Sequence, residues 1–284
     1  MNKPYLNKIH YPETTKIPIW MMRQAGRYLP EYRKIRQTSC FLDMVYTPEI
    51  AAEITLQPIQ RFGFDAAILF SDILVTPQAL GMTLDFKQGH GPVFEDPIQS
   101  PNDLPRLKSN LNTLDPIFAA IQLIKNKLPK ETAMIGFAGC PFTVASYMIE
   151  GKSSPDLFNT KKFMNQHPNE FDQLLTLISE LTIDYLESQC KAGVDALQLF
   201  DTWITHLDWA SCESYSAKYV TTIVSELRRR GIKQPITFFG KHISAFYPLY
   251  VNTGITMISF DTAANLALID DQLPSHIGIQ GNLD

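Results

Sequence analysis

HPNEFDQLLTLISELTIDYLESQCKAGVDALQLFDT, residues 167–202, holds the pattern on which the fold reading turns. His167-Pro168 opens a segment in which Phe171, Leu174, Leu175, Ile178, Leu181, Tyr185 and Leu186 recur at helical spacing, and Lys191-Ala192-Gly193 closes it. This predicts a long, capped, amphipathic helix. The helix feeds an unbroken apolar run, Asp195 to Phe200, whose lack of alternation points to a strand buried on both faces. Polar Asp201-Thr202 follows at once.

Five further runs repeat the unit: Asp65 to Phe70, Ala133 to Phe137, Pro235 to Phe239, Thr256 to Phe260 and His276 to Gln280. Strands separated by helix-like stretches imply a parallel βα architecture. Each run ends in polar or turn-forming residues: Ser71-Asp72, Gly139-Cys140-Pro141, Gly240-Lys241, Asp261-Thr262 and Gly281-Asn282. In barrels and in open α/β sheets that edge is where ligands bind. No GxGxxG follows the first run and no GxxxxGK[ST] occurs, so a barrel is preferred to a nucleotide-binding sheet. Thr47-Pro48-Glu49 signals another helix start, and Pro58 is expected to kink or end that helix. Lys87 to Leu107, rich in Pro, Gly and Asp, reads as an excursion holding a short hairpin or loop.

With 25 Lys and Arg against 29 Asp and Glu, the 284-residue chain carries a formal charge of −4 and is 45% hydrophobic, which excludes disorder and a basic coat for nucleic acid. One barrel domain over residues 1–284 is expected. No window nears the roughly 18 apolar residues of a membrane span, and the first residues lack the apolar stretch of a secretion signal. A cytoplasmic protein without membrane contact is the expectation. Cys40, Cys140, Cys190 and Cys212 are dispersed without metal-site spacing and read as reduced thiols; no metal is expected.

Two features are candidates for chemistry. Arg23, Arg27, Arg33 and Arg36 put four guanidinium groups in fourteen residues, able to grip carboxylates bidentately or equally to form a solvated helix face. Asp72 follows a buried strand directly, placed to act as a base, a metal ligand or an acceptor of substrate N–H groups, or else as a helix N-cap.

RQAGRYLPEYR (23–33), FSDILVTPQALGM (70–82) and GFAGCPFTVASYMIEG (136–151), with GPVFEDPI, DALQLFDTW and the terminal QGNLD, resemble the uroporphyrinogen decarboxylase family over nearly the whole chain. The resemblance implies a (β/α)8 TIM-type barrel that converts the four acetate side chains of uroporphyrinogen III to methyl groups, giving coproporphyrinogen III in heme biosynthesis. It implies no cofactor, because a pyrrole protonated beside the acetate is itself the electron sink. It implies a homodimer. By motif, Asp72 matches the essential aspartate that accepts the pyrrole N–H bonds, and Arg23 and Arg27 match arginines that bind substrate carboxylates, one of them a candidate proton donor. Tyr147 matches an active-site tyrosine and Thr202 a hydroxyl that contacts a carboxylate. Gln24, Ala25, Gly26, Ile73 and Phe142 are expected pocket walls.

The chain departs from the pattern at Ile204-Thr205-His206 and at Gly240-Lys241-His242-Ile243-Ser244, where small glycines are usual, and at Thr262, where tryptophan is common. Branched residues there are expected to forbid positive φ and fill space near the strand ends. Family members also run on past a QGNLD segment into a last βα unit bearing an active-site histidine, so these 284 residues are expected to lack the closing unit. His206 and His242 are the nearest substitutes by position. Two other functions fit less well: a tetrapyrrole binder without turnover, and a zinc-dependent corrinoid methyltransferase of the same superfamily, for which no His-x-Cys pair is present.

Overall fold

The computed structural model describes residues 3–87 and 91–283. Its strands are β1 (Ala66–Ile68), β2 (Leu84–Lys87), β3 (Gly91–Phe94), β4 (Ala133–Gly139), β5 (Ala196–Asp201), β6 (Ile236–Gly240), β7 (Met257–Ser259) and β8 (Gly278–Gln280). All six expected apolar runs form strands, and they pair in parallel in the order β1-β4-β5-β6-β7-β8, each beside the next in sequence. The sheet curls as part of a TIM-type barrel. Strands β4 and β5 are buried at every position, as continuous apolarity requires. The register sets Gly139 opposite Phe200, and Asp201 opposite Gly240, so the strand ends share one edge.

Helix Pro168–Ala192 forms as expected, with proline at its first turn and Gly193 in the left-handed region at φ 118°. It buries Phe171, Leu174, Leu175, Ile178, Leu181, Tyr185 and Leu186. Pro58 does not end its helix, which spans Pro48–Phe62 and stops at Gly63 with φ 67°. Burial of Leu56, Pro58 and Ile59 against the core outweighs the missing N–H bond. The expected excursion begins earlier than its proline and glycine signals, since the antiparallel hairpin β2-β3 starts at Leu84; a 3-10 turn, Pro101–Arg106, follows it.

The amino-terminal segment binds the opposite end of the strands. Asp195, just before β5, accepts from Lys3 Nζ at 2.6 Å, from Lys125 Nζ at 3.0 Å and from the Met134 N–H at 2.7 Å. Asp65, just before β1, exchanges two bonds of 2.9 Å with Ile19: its N–H donates to the Ile19 carbonyl, and its carboxylate accepts the Ile19 N–H. Residues from Ile19 to Gln24 therefore lie along the outer edge of β1, a placement the composition of this segment hides. Trp20 Nε1 donates to Gln280 Oε1 on β8 at 3.0 Å, so the segment reaches the last strand of the sheet.

Ile204 does not fill the mouth. Its side chain is fully buried and occupies the space that a Cβ on Gly240 would need. The bulk gained where the family keeps glycine is matched by a glycine on the adjacent strand. Gly240→Ala is accordingly expected to cost about 1–3 kcal/mol through overpacking, with part recovered when Ile204 is cut to Ala in the same chain. Urea midpoints of both variants check this; a parent-like midpoint for the single variant would mean that Ile204 yields freely.

Candidate active site

Asp72 lies just beyond β1, in a turn before helix Val75–Ala79, and is half-buried. Its Oδ1 accepts the Leu74 N–H at 2.9 Å. Burial pushes its carboxyl up to about 6, against the opposing pull of that bond and of the Arg23 charge. The carboxyl thus stands at a strand end in low dielectric, within the field of a guanidinium from the amino-terminal segment. Tyr147, half-buried on helix Pro141–Glu150, has its hydroxyl pKa raised, first by burial and then by Asp72, with Arg23 acting in the other direction. Arg23, Asp72 and Tyr147 are thus coupled electrostatically from three separate stretches of chain. Trp203 packs against Tyr147 with ring centroids 5.7 Å apart.

The other expected residues divide. Thr202 is half-buried and opens the 3-10 turn Thr202–His206 beside Trp203. Ile73 is half-buried and lies against Gly139, where a Cβ would meet it at 2.9 Å. Arg27 is exposed, and its charge is felt by Tyr32. Gln24 is 1% exposed with both ends of its amide engaged, Nε2 donating to the Ala66 carbonyl at 3.2 Å and Oε1 accepting the Met21 N–H at 3.1 Å. It fastens the segment to β1 rather than offering a side chain to a ligand. Phe142, read as a pocket wall, is 1% exposed and sits edge-on to Phe171 in the core. Ala25 packs on the small cluster of Leu29, Tyr32, Met44 and Ile54. Gly26 has no positive φ, and a Cβ there would meet nothing nearer than 3.7 Å, so the turn does not require glycine.

Two histidines reach the strand ends. His206 packs on Trp203 with centroids 5.5 Å apart, and burial with Lys161 and Lys241 lowers its pKa. His242 takes φ 56° where positive φ was expected to be forbidden; its N–H donates to Asp261 Oδ2 at 2.5 Å, and Nδ1 lies 3.6 Å from the same oxygen. Histidine is unbranched at Cβ and enters the left-handed region more readily than branched residues do.

Asp201 was legible only as a polar residue after a strand. It is fully buried, and desolvation pushes its carboxyl up to about 6 against hydrogen bonds from Ser216 and Thr143. Among the described residues no group of three His, Cys, Asp or Glu side chains is placed to hold a metal ion. Two hollows lie against helix Pro168–Ala192, near Leu177 and Lys218, away from the convergent polar groups. The mouth is preferred as the site because the perturbed carboxyl stands there within the field of the Arg23 guanidinium.

These features define a TIM-type barrel with a carboxylate and an arginine at the carboxyl ends of its strands. The uroporphyrinogen decarboxylase (URO-D) family profile matches residues 1–284, and the chain belongs to that family. Among relatives named uroporphyrinogen decarboxylase, that of Chelativorans sp. is 47% identical over 271 residues, covering 94% of this chain and 78% of the relative. That of Ruthia magnifica is 41% identical over 285 residues, covering 99% and 82%. That of Aliarcobacter butzleri is 38% identical over 293 residues, covering 100% and 84%. In fold alone, a methyltransferase from Methanosarcina mazei superimposes with a TM-score of 0.81 at 16% identity, over 99% of this chain and 82% of that one.

The raised Asp72 carboxyl has a consequence for stability. A carboxyl whose folded pKa exceeds its ordinary value near 4 contributes stability that is complete below that value and is lost as pH rises through about 6. Asp72→Asn is expected to match the parent in urea at pH 4 and to exceed it by about 2 kcal/mol at pH 8. Equal midpoints at both pH values would place the carboxyl in a water-like setting.

Proposed function

We propose that this chain decarboxylates uroporphyrinogen III to coproporphyrinogen III, removing its four acetate carboxylates in porphyrin biosynthesis. The observation that carries the reading is the electrostatic coupling of Asp72 with Arg23 and Tyr147 at the strand mouth of a chain matched by the family throughout. In this reading a proton adds to the pyrrole carbon next to the one that bears the acetate, and the ring becomes cationic. The bond to the carboxylate breaks, its electron pair returns to the ring, and CO2 leaves. A second proton completes the methyl group while the first is given up from the ring carbon. The electron sink is the substrate's own ring.

Asp72 accepts the pyrrole N–H groups and balances the cation, an acceptor fixed in place before the charge develops. Its half-burial strengthens that interaction and raises its own pKa. Arg23 and Arg27 grip substrate carboxylates from the rim, since both stand exposed. Tyr147 and Thr202 donate hydrogen bonds to the bound macrocycle, and Gln24, Ala25, Gly26, Ile73 and Phe142 shape the surrounding wall. Of these, Gln24 and Phe142 act from behind it, as their burial dictates. Residues 1–284 act as one barrel domain, supported by a core that runs unbroken from Tyr5 to Ile277. A homodimer in the cytoplasm completes the reading; among the described residues no helix is long and apolar enough to cross a membrane.

Anaerobic incubation of the chain with enzymatically generated uroporphyrinogen, followed by separation of the oxidised products by carboxylate number, tests the proposal. Products with seven to four carboxylates are expected; binding without any loss of carboxylate would leave a tetrapyrrole binder instead. Asp72→Asn should keep binding within a few-fold and lose about 100-fold or more in kcat. In the parent, kcat/KM should rise as pH passes through about 6 and Asp72 ionises, a limb absent from the variant's residual rate. Arg27→Ala should raise KM about tenfold with kcat little changed; an unaltered KM would remove Arg27 from the substrate.

A further inference from the structure

Behind the mouth, three elements are joined by a chain of buried hydrogen bonds centred on Asp201. The Thr143 N–H donates to Asp201 Oδ1 at 3.1 Å, and the Thr143 hydroxyl donates to the same oxygen at 2.6 Å. With its proton so placed, Thr143 Oγ1 accepts the Trp203 N–H at 3.0 Å. The Ser216 hydroxyl donates to Asp201 Oδ2 and lies 2.7 Å from the Tyr250 hydroxyl, which is 3.3 Å from Cys212 Sγ. Asp201, Thr143, Cys212 and Tyr250 are 0% exposed and Ser216 1%. Asp201's hydrogen bonds come from one backbone N–H and two hydroxyls, with no lysine or arginine among them.

A buried carboxylate without a cation is a costly way to hold three elements together, and an apolar contact of the same size would be more stable. What the carboxylate adds is direction. It only accepts, so the Thr143 hydroxyl must point its proton at Asp201 and keep a lone pair for the Trp203 N–H. Thr143 stands in the first turn of helix Pro141–Glu150, one turn before Tyr147, and Trp203 packs on Tyr147 from the Thr202–His206 turn. The helix start and the turn are thereby held in one register, with the Tyr147 and Trp203 rings packed at a tilt of 55°.

We propose that Thr143, oriented by Asp201, is a positioning residue: its hydroxyl fixes Trp203 and, through it, sets Tyr147 beside Asp72. The proposal rests on the reading of the mouth as the decarboxylation site. Neither Thr143 nor Asp201 touches substrate; they act through the two rings.

Two substitutions at one position separate this role from packing. Thr143→Val keeps shape and loses the hydroxyl, whereas Thr143→Ser keeps the hydroxyl and loses a methyl group. Steady-state decarboxylation and hydrogen exchange at the Trp203 amide are measured in both variants and the parent. For Val the expectation is a kcat lower by about tenfold, a KM within about twofold and a Trp203 amide exchanging about tenfold faster or more; Ser should restore each to within about threefold of the parent. Packing alone would rank Val above Ser, and that order, or a parent-like kcat in Val, overturns the proposal. If the parent shows no decarboxylation, the functional reading fails by itself. The exchange data then still decide the tie: protection kept in Ser and lost in Val upholds it, and equal protection overturns it.

Discussion

Parallel strands buried at every position in β1, β4, β5 and β7 leave charged groups nowhere to go except the strand ends, and this constraint organises the molecule. At the amino ends, Asp65 and Asp195 are used for fastening, one to Ile19 and the other to Lys3 and Lys125. At the carboxyl ends, Asp72 and Asp201 sit where burial pushes both carboxyls up to about 6. The same residue type serves opposite purposes at the two edges. Asp195 has cations within 3.0 Å, whereas Asp201 is held by N–H and O–H dipoles and Asp72 by one backbone N–H and the more distant field of Arg23.

Held this way, a carboxylate lowers stability at neutral pH and gains strength as an acceptor, since low dielectric penalises the bare charge and amplifies its attraction for a cation. That trade is expected at a site that stabilises a cationic intermediate. The amino-terminal segment is what completes it. Ile19 and Gln24 are tied to Asp65 and Ala66 at the start of β1, and the charge of Arg23 is felt by Asp72 beyond the other end of that strand.

Two of the departures from the family pattern are accommodated by the fold. Ile204 enters the core against Gly240. His242 adopts the left-handed conformation of a glycine and is steadied there by Asp261. At the rim, burial together with Lys161 and Lys241 favours the neutral imidazole of His206.

From its sequence alone, the chain declared its six strands, the long helix between His167 and Gly193, the polar strand ends and, through the RQAGR and FSDIL motifs, the arginine and aspartate of the candidate site. These are local properties: burial on both faces writes itself as continuous apolarity, a helix as its 3.6-residue repeat, and a ligand-binding motif as a fixed string of residues. The hairpin start at Leu84, the uninterrupted helix through Pro58, the placement of Ile19 to Gln24 on the edge of β1, and the burial of Gln24 and Phe142 were decided by contacts between distant segments. So was the Asp201 tie, whose partners at Thr143, Ser216 and Tyr250 lie 58, 15 and 49 residues away along the chain, counted as 201 − 143, 216 − 201 and 250 − 201. No local pattern encodes which distant hydroxyl a buried carboxylate will meet, because that depends on the strand register and helix packing that bring the two together.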